Sequence, residues 1–401
     1  MRIEDLSTKI EGETFRTSAT IKWEDSDRSD QIIYFETDRH HTQTLQPDAF
    51  LVAACMPAMH YGEQRIAIQN EICPELKSNL DVAMHIVQNW YPKRNYRVPV
   101  IEATTKSTEE LKSRDTAWFC SGGIDSWTSF YLNQQRYEAT HPCRIKHGIF
   151  IYGFDFGKRK TLDERPGWNV LREQLEAELH SKDISLISVN TNIRQEFDEP
   201  YLWRDVFSGA ALASVAHFLG EKISLALIAS GPSLADLCPW AQHPLLDPHY
   251  SSYSTRIDHD GVHLSRLDKV KLLSPALNDL NVLKVCNNVE RIDGNMLNCG
   301  RCEKCLRTML DLLVAGKLAG TPFFPIDDVS ADMIEQHVIP RSIHARSCYQ
   351  ELIEPLRESD RADLADAIQR ALQHSQLVQV KDQIKTTIKG LLRPLEVVDA
   401  K

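Results

Sequence analysis

Residues 117–127, Ala-Trp-Phe-Cys-Ser-Gly-Gly-Ile-Asp-Ser-Trp, run from an apolar stretch straight into a glycine-serine loop that contains no lysine. Gly122 and Gly123 let the backbone adopt angles closed to other residues and approach an anion, while Ser121 and Ser126 add hydroxyl donors. The helix expected to follow points its free amides at the same place. That cradle suits a pyrophosphate, which N–H groups and a helix N-terminus can meet without the lysine of a Walker loop. Asp125 is placed to cap the helix or to hold a magnesium-bound water. A tight strand-to-helix turn with a serine cap is the competing reading.

Outward from the loop, strand and helix alternate. "AWFC" precedes the helix "SWTSFYLNQQ", "IKHGIFIYGFDF" precedes "WNVLREQLEAELHS", and "ISLISVN" precedes a helix around "SGAALASVAHFLG"; the strands "ISLALIAS" and "NVLKVC" follow. Apolar strands separated by helices of this length predict an α/β fold with a parallel sheet covered on both faces. Ligands of such sheets bind beyond the carboxyl ends of the strands, at a topological switch point. Before the loop, residues 14–24 and 31–37 predict a hairpin around "DSDRSD". "PDAFLVAACMPAMHYG" and "CPELKSNLDVAMHIVQNWYP" predict helices with a proline near each start, and "RIAIQNEI" and "VPVIEA" predict strands. The expected division is therefore a small α+β domain with its linker over 1–110, the catalytic domain over 111–320, and a helical C-terminal extension over 321–401. "TTKSTEELKSRDT" (104–116) is the linker candidate, and "ADMIEQHV", "CYQELIEPLRE", "RADLADAIQRALQHS" and "VQVKDQIKTTIKGLLRP" read as amphipathic helices.

Composition narrows the class. The chain has 401 residues, 25% of them charged, and a formal net charge of −10, so no extended nucleic-acid groove is signalled. Residues 1–110 carry 12 Lys and Arg against 18 Asp and Glu, a balance of −6 that speaks against an RNA grip there. No window approaches the roughly 18 consecutive apolar residues of a membrane span, and "MRIEDLSTKIEGE" has no apolar signal region. The expectation is a cytoplasmic protein with no membrane partner. Its 10 cysteines are then unsuited to a disulfide framework, and their clustering carries the information.

Four of them, Cys286, Cys299, Cys302 and Cys305, are spaced C-x12-C-x2-C-x2-C. Four thiolates around one tetrahedral ion is the closed structural zinc pattern, with Gly300 giving the turn its freedom. An iron–sulfur cluster is the chemical rival, but the fourth thiol lies upstream and Leu306 and Arg307, not proline, follow Cys305. Cys120, at the end of a core strand, reads as small and buried rather than as a nucleophile. His243, His249, His259 and His263 read as solvated loop residues, and "GKRK" (157–160) as a solvent face.

"SGGIDS" resembles the pyrophosphate loop of the ATP pyrophosphatases of adenine-nucleotide α-hydrolase-like fold, which adenylate a carboxylate, amide or base carbonyl and release pyrophosphate. The loop followed by a C-terminal four-cysteine knuckle resembles the 7-cyano-7-deazaguanine synthases. "ASGPSLAD" is similar to that family's glycine-to-aspartate turn, which places Gly231 and Asp236; "QHPLLDPHYSS" falls where its substrate-recognition loop lies, which places Asp247; "LSRLDKVKLL" resembles its lysine helix start, which places Lys269 on the ATP phosphates. The resemblance covers roughly residues 115–312. It implies ATP, Mg²⁺ and Zn²⁺, with Ser121, Gly122, Gly123, Asp125, Ser126 and Lys269 on the nucleotide. Gly231, Asp236, Asp247 and Arg307 would line the substrate pocket, with Lys269, Asp125, Asp236 and Asp247 as catalytic candidates. A deazaguanine-type acid would become an amide or nitrile.

The chain departs from the family in its two extensions, in the long gap from Cys286 to Cys299, in the position of Arg307 and in "WRDVFSGA", where an arginine-asparagine motif is expected. Synthase-like members with such extensions occur in bacterial anti-phage gene sets of the Qat and CBASS kinds. In these the N-terminal domain or the C-terminal helices would contact a protein partner or protein substrate, or a second copy in a homodimer. Two alternatives stay open: a tRNA-modifying relative of the thiolase type, and a non-catalytic nucleotide-binding subunit.

Overall fold

The computed structural model describes residues 1–41, 44–106, 114–158, 163–287 and 296–391, which form two compact units, Met1–Leu297 and Asn298–Lys401. The first is built on one ten-stranded, mostly parallel sheet in the order β10-β9-β6-β7-β8-β3-β2-β1-β4-β5. Its strands are β1 (Arg2–Glu11), β2 (Thr14–Lys22), β3 (Gln31–Asp38), β4 (Arg65–Ile68), β5 (Val100–Glu102), β6 (Asp115–Phe119), β7 (Ile145–Tyr152), β8 (Ser185–Thr191), β9 (Ile223–Ala229) and β10 (Arg256–Asp260).

The helices of this unit are α1 (Pro47–His60), α2 (Pro74–Trp90), α3 (Ile124–Arg136), α4 (Arg165–His180), α5 (Ser208–Phe218) and α6 (Arg266–Leu273). They cover both faces of the sheet, as side-chain alternation along β6 shows. Ala117 and Phe119 belong to the large core that also holds Ile149, Ile187, Ile228 and the buried residues of α1 and α5. Trp118 points the other way, against Trp127 and Phe130 of α3. Gly148 lies on that second face because a Cβ there would come within 2.9 Å of Leu179 of α4 and 3.2 Å of Trp118. α1 is apolar all round and buried from Asp48 to Met59, as a helix enclosed on every side must be.

β6 has β7 on one side and β9 on the other, both parallel to it. The strand order reverses there, so the crevice beyond its carboxyl end is the switch point of the sheet. The loop that starts at Cys120 opens into it.

Residues 1–110 do not stand apart. The hairpin β2–β3 forms as expected, but β3 also pairs antiparallel with β8, Glu36 opposite Asn190, so one sheet and one core run through both halves. The two compact units meet in sequence at 297/298. Most of the expected linker, 107–113, lies outside the described residues. "NVLKVC" forms no strand: Val282 and Leu283 are buried, but the backbone serves other groups, Val282 O accepting from Trp127 Nε1 at 2.9 Å and Lys284 N donating to Gly122 O at 2.8 Å. β10, unforeseen, takes the edge beside β9.

The second unit is helical after a short cysteine-bearing turn: α7 (Glu303–Val314), α8 (Ala331–His337), α9 (Ile343–Gln350), α10 (Ile353–Glu358) and α11 (Ala362–Leu391). Leu306, Met309 and Leu310 of α7, Ile334 of α8, Tyr349 of α9, Leu356 of α10 and Leu364 and Ile368 of α11 are all buried. Among the described residues no helix is long and apolar enough to cross a membrane.

Phe35 of β3 is fully buried and stacks 5.4 Å from Phe218 of α5 and against Phe50 of α1. Phe35→Ala is expected to cost about 3–5 kcal/mol in urea unfolding. Tryptophan signals from the β6–α3 face are expected to disappear in the same shifted transition, whereas independent domains would leave them unshifted.

Candidate functional site

The glycine loop is held by one hydroxyl. Ser126 Oγ donates to Phe119 O at 3.0 Å and accepts from Trp118 Nε1 at 3.1 Å and from Ser121 N at 3.2 Å. Its single proton is spent on the strand, so Ser126 fastens the loop and does not offer the donor expected from sequence. Gly122 sits at φ +74°, in the left-handed region, where any Cβ would meet Leu171, Leu175 and Lys284 at 3.6–3.7 Å. Gly123 is the N-cap of α3, which begins at Ile124, and its amide hydrogen-bonds Ser121 Oγ at 3.4 Å. Ser121 is exposed at the crevice.

Asp125 does not cap α3. It is ion-paired with Lys269 at 3.0 Å and with Arg266 at 3.3 Å, both cations on α6. Lys269 is 1% exposed and donates also to Ser230 O at 2.6 Å and Gly231 O at 2.9 Å. All three of its protons have protein acceptors, so it ties α6 and the turn after β9 to α3. α6 itself is fixed by a capping box between Ser265 and Asp268. Among the described residues, Asp125 lies in no group of side chains close enough to share a metal ion.

Lys284 is the residue that the sequence reading passed over. It is buried, its ammonium stands 4.9 Å over the Phe156 ring, and it lines a cavity of about 80 Å³ with Phe119, Ser121, Ile149, Phe156 and Leu212, at the carboxyl ends of β6 and β7. The signal for it was the lone cation inside the apolar "NVLKV". Arg266, also buried, was signalled by its spacing of three from Lys269, which puts both on one side of α6. Cys120 is buried, and desolvation pushes its thiol up to about 12, which leaves it protonated and unreactive.

The candidates for the substrate pocket divide. Gly231 follows β9 and contributes the carbonyl that binds Lys269. Asp236 accepts from Ser233 Oγ at 3.0 Å inside its own short turn, a local cap. Asp247 is fully buried and accepts from His259 Nδ1 at 2.8 Å; burial raises its pKa from the ordinary carboxylate value, against the pull of His259. His243 is buried and the His259 side chain is 1% exposed rather than solvated, because β10 draws that segment into the fold, while His263 stays exposed and His249 half-exposed. Arg307 belongs to the second unit, buried on α7, its NH1 at 3.6 Å from Glu303 one turn away. Of "GKRK", residues 159–160 lie outside the described residues.

The sulfurs of Cys286, Cys299, Cys302 and Cys305 lie within 4.8 Å of one another, and those of Cys299 and Cys305 are 3.9 Å apart. A tetrahedral ion with zinc–sulfur bonds of about 2.3 Å sets its sulfurs about 3.8 Å apart, so the group can hold a metal such as zinc. Gly300 makes the turn at φ +66°, and a Cβ there would come within 2.9 Å of Pro325. Cys302 is the N-cap of α7 and Cys305 lies in its first turn.

Neither a family model, nor a curated protein, nor a solved structure matches this chain.

Ser126→Ala, which strands Trp118 Nε1, is expected to lower stability by about 2–3 kcal/mol by urea unfolding. Metal analysis is expected to find about one zinc per chain with no visible absorption band, and Cys302→Ser to lower the zinc content; a brown protein with iron and labile sulfide would contradict this.

Proposed function

We propose that the chain is an ATP-dependent adenylating enzyme, similar to the 7-cyano-7-deazaguanine synthases, that activates a deazaguanine-type carboxylate. The observation that carries this is the lysine-free glycine loop, with Gly122 left-handed and α3 starting at its end, set at the switch point of a parallel sheet. The substrate carboxylate attacks the α-phosphorus of ATP, an acyl-adenylate forms, and pyrophosphate leaves. The amides of the loop and of the first turn of α3 meet its charge. Lys284, in the cavity beside Ser121, adds a positive charge there. Lys269 and Arg266 hold Asp125 and so fix where α3 begins. Magnesium, carried on the phosphates, supplies charge neutralisation.

An amine then attacks the activated carbonyl and AMP leaves. Ammonia gives a free amide, and a second adenylation of that amide gives a nitrile; a protein amine gives a conjugate, the outcome that suits a role in anti-phage defence. Zinc at four thiolates has no open position for substrate, so its part is to brace the turn before α7.

The test is to incubate the purified protein with ATP, magnesium and 7-carboxy-7-deazaguanine and to follow AMP and pyrophosphate. Release that depends on the acid is expected, together with a fall of about 10²-fold or more in Lys284→Ala. Absence of acid-dependent release, with ammonium or candidate protein amines supplied, rejects the assignment.

A further inference from the structure

Asp247 and His259 form a closed pair inside the first unit with unfinished hydrogen bonding. The Asp247 and His259 side chains are 0% and 1% exposed, and Nδ1 of the imidazole meets Oδ2 of the carboxylate at 2.8 Å. Yet the other carboxylate oxygen and the imidazole Nε2 are buried without a hydrogen-bond partner among the described residues. Buried polar atoms are nearly always satisfied, so the two orphaned atoms of one hydrogen-bonded pair mark where a ligand or water group belongs. The rest of the neighbourhood is fixed. Asp247 N donates to His243 O at 2.8 Å, His217 Nε2 binds Tyr250 O at 2.7 Å, and Gly209 is required because a Cβ there would lie 2.6 Å from Asp247 Oδ1.

The position is as informative as the chemistry. His259 pairs with Ile228 across β10 and β9, and Leu227 pairs with Trp118 across β9 and β6, so the imidazole stands level with Phe119, two strands over. At the usual strand spacing that is about 10 Å from the strand that carries the glycine loop. Asp247 rests against α5 at Gly209, and Leu212 of the same helix lines the cavity that Ser121 and Lys284 share.

We propose that His259, oriented by Asp247, is the base that receives the proton of the attacking amine in the second half of the reaction, with Asp247 as its positioning residue. This rests on the adenylation reading above. Nδ1–H donates to Asp247, which leaves the Nε2 lone pair for the substrate. The amine nitrogen forms the C–N bond to the acyl carbon, the bond from that carbon to the phosphate oxygen breaks, AMP departs with that electron pair, and the proton lost from nitrogen passes to Nε2.

The two half-reactions separate the tests. Adenylation is read as ATP–pyrophosphate exchange dependent on 7-carboxy-7-deazaguanine, and amine transfer as amide formed from ammonium. In His259→Asn the ratio of amide formed to exchange is expected to fall by about 10²-fold or more, and in Asp247→Asn by about tenfold or more. Hydroxylamine, a stronger nucleophile that is uncharged at neutral pH, is expected to restore the His259→Asn ratio to within about tenfold of the wild-type value. An unchanged ratio overturns the relay. So does a loss that hydroxylamine does not repair, which would make the pair a structural one bridged by water. If the wild type shows no acid-dependent exchange, the adenylation reading itself has failed, and the relay falls with it.

Discussion

The Ser126 hydroxyl is the point on which the geometry of the crevice depends. One oxygen joins the last turn of a strand, the first amide of the loop and the indole of Trp118. With that oxygen engaged, the chain has to leave β6 and enter α3 within four residues, and only a left-handed Gly122 makes the bend. Leu171 and Leu175 of α4 lie against Gly122, within van der Waals reach of any Cβ placed there. The result is a loop whose backbone is fixed by its own hydrogen bonds at the carboxyl end of β6.

The charged side chains around this loop divide into two sets. Lys269, Arg266 and Asp125 satisfy one another and give the site its shape. Lys284 lines the cavity, with its ammonium over the Phe156 ring. Charge and burial alone do not distinguish these roles, since Lys269, Arg266 and Lys284 are all buried cations.

What was legible in the sequence follows from how local each signal is. The loop, α3, the alternation of β6 to β9 with their helices, and the four cysteines are all encoded within a few residues of themselves. Their spacing was enough. The role of Lys269 was not, because a lysine that meets phosphate and one that meets two carbonyls and a carboxylate have the same neighbours in sequence. "NVLKVC" was misread as a strand because a buried extended run and a strand share one pattern. His259 was hidden because β10 alternates over only five residues, two of them aspartates. β1 was missed for the opposite reason: most of its side chains are exposed, so no hydrophobic period announces it.

The pairing of β3 with β8 has a further consequence, for biosynthesis. Glu36 and its partner Asn190 are 154 positions apart, so the hairpin emerges from the ribosome long before the strand that completes it. At ordinary rates of synthesis, β3 waits roughly 8–30 s with one ladder edge unpaired. Its outward side chains during that interval include Glu36 and Asp38, charges that discourage another chain from adding to the edge. The acidic balance of the N-terminal hundred residues then has a use in the nascent chain, where it keeps an unfinished sheet soluble until its other half is made.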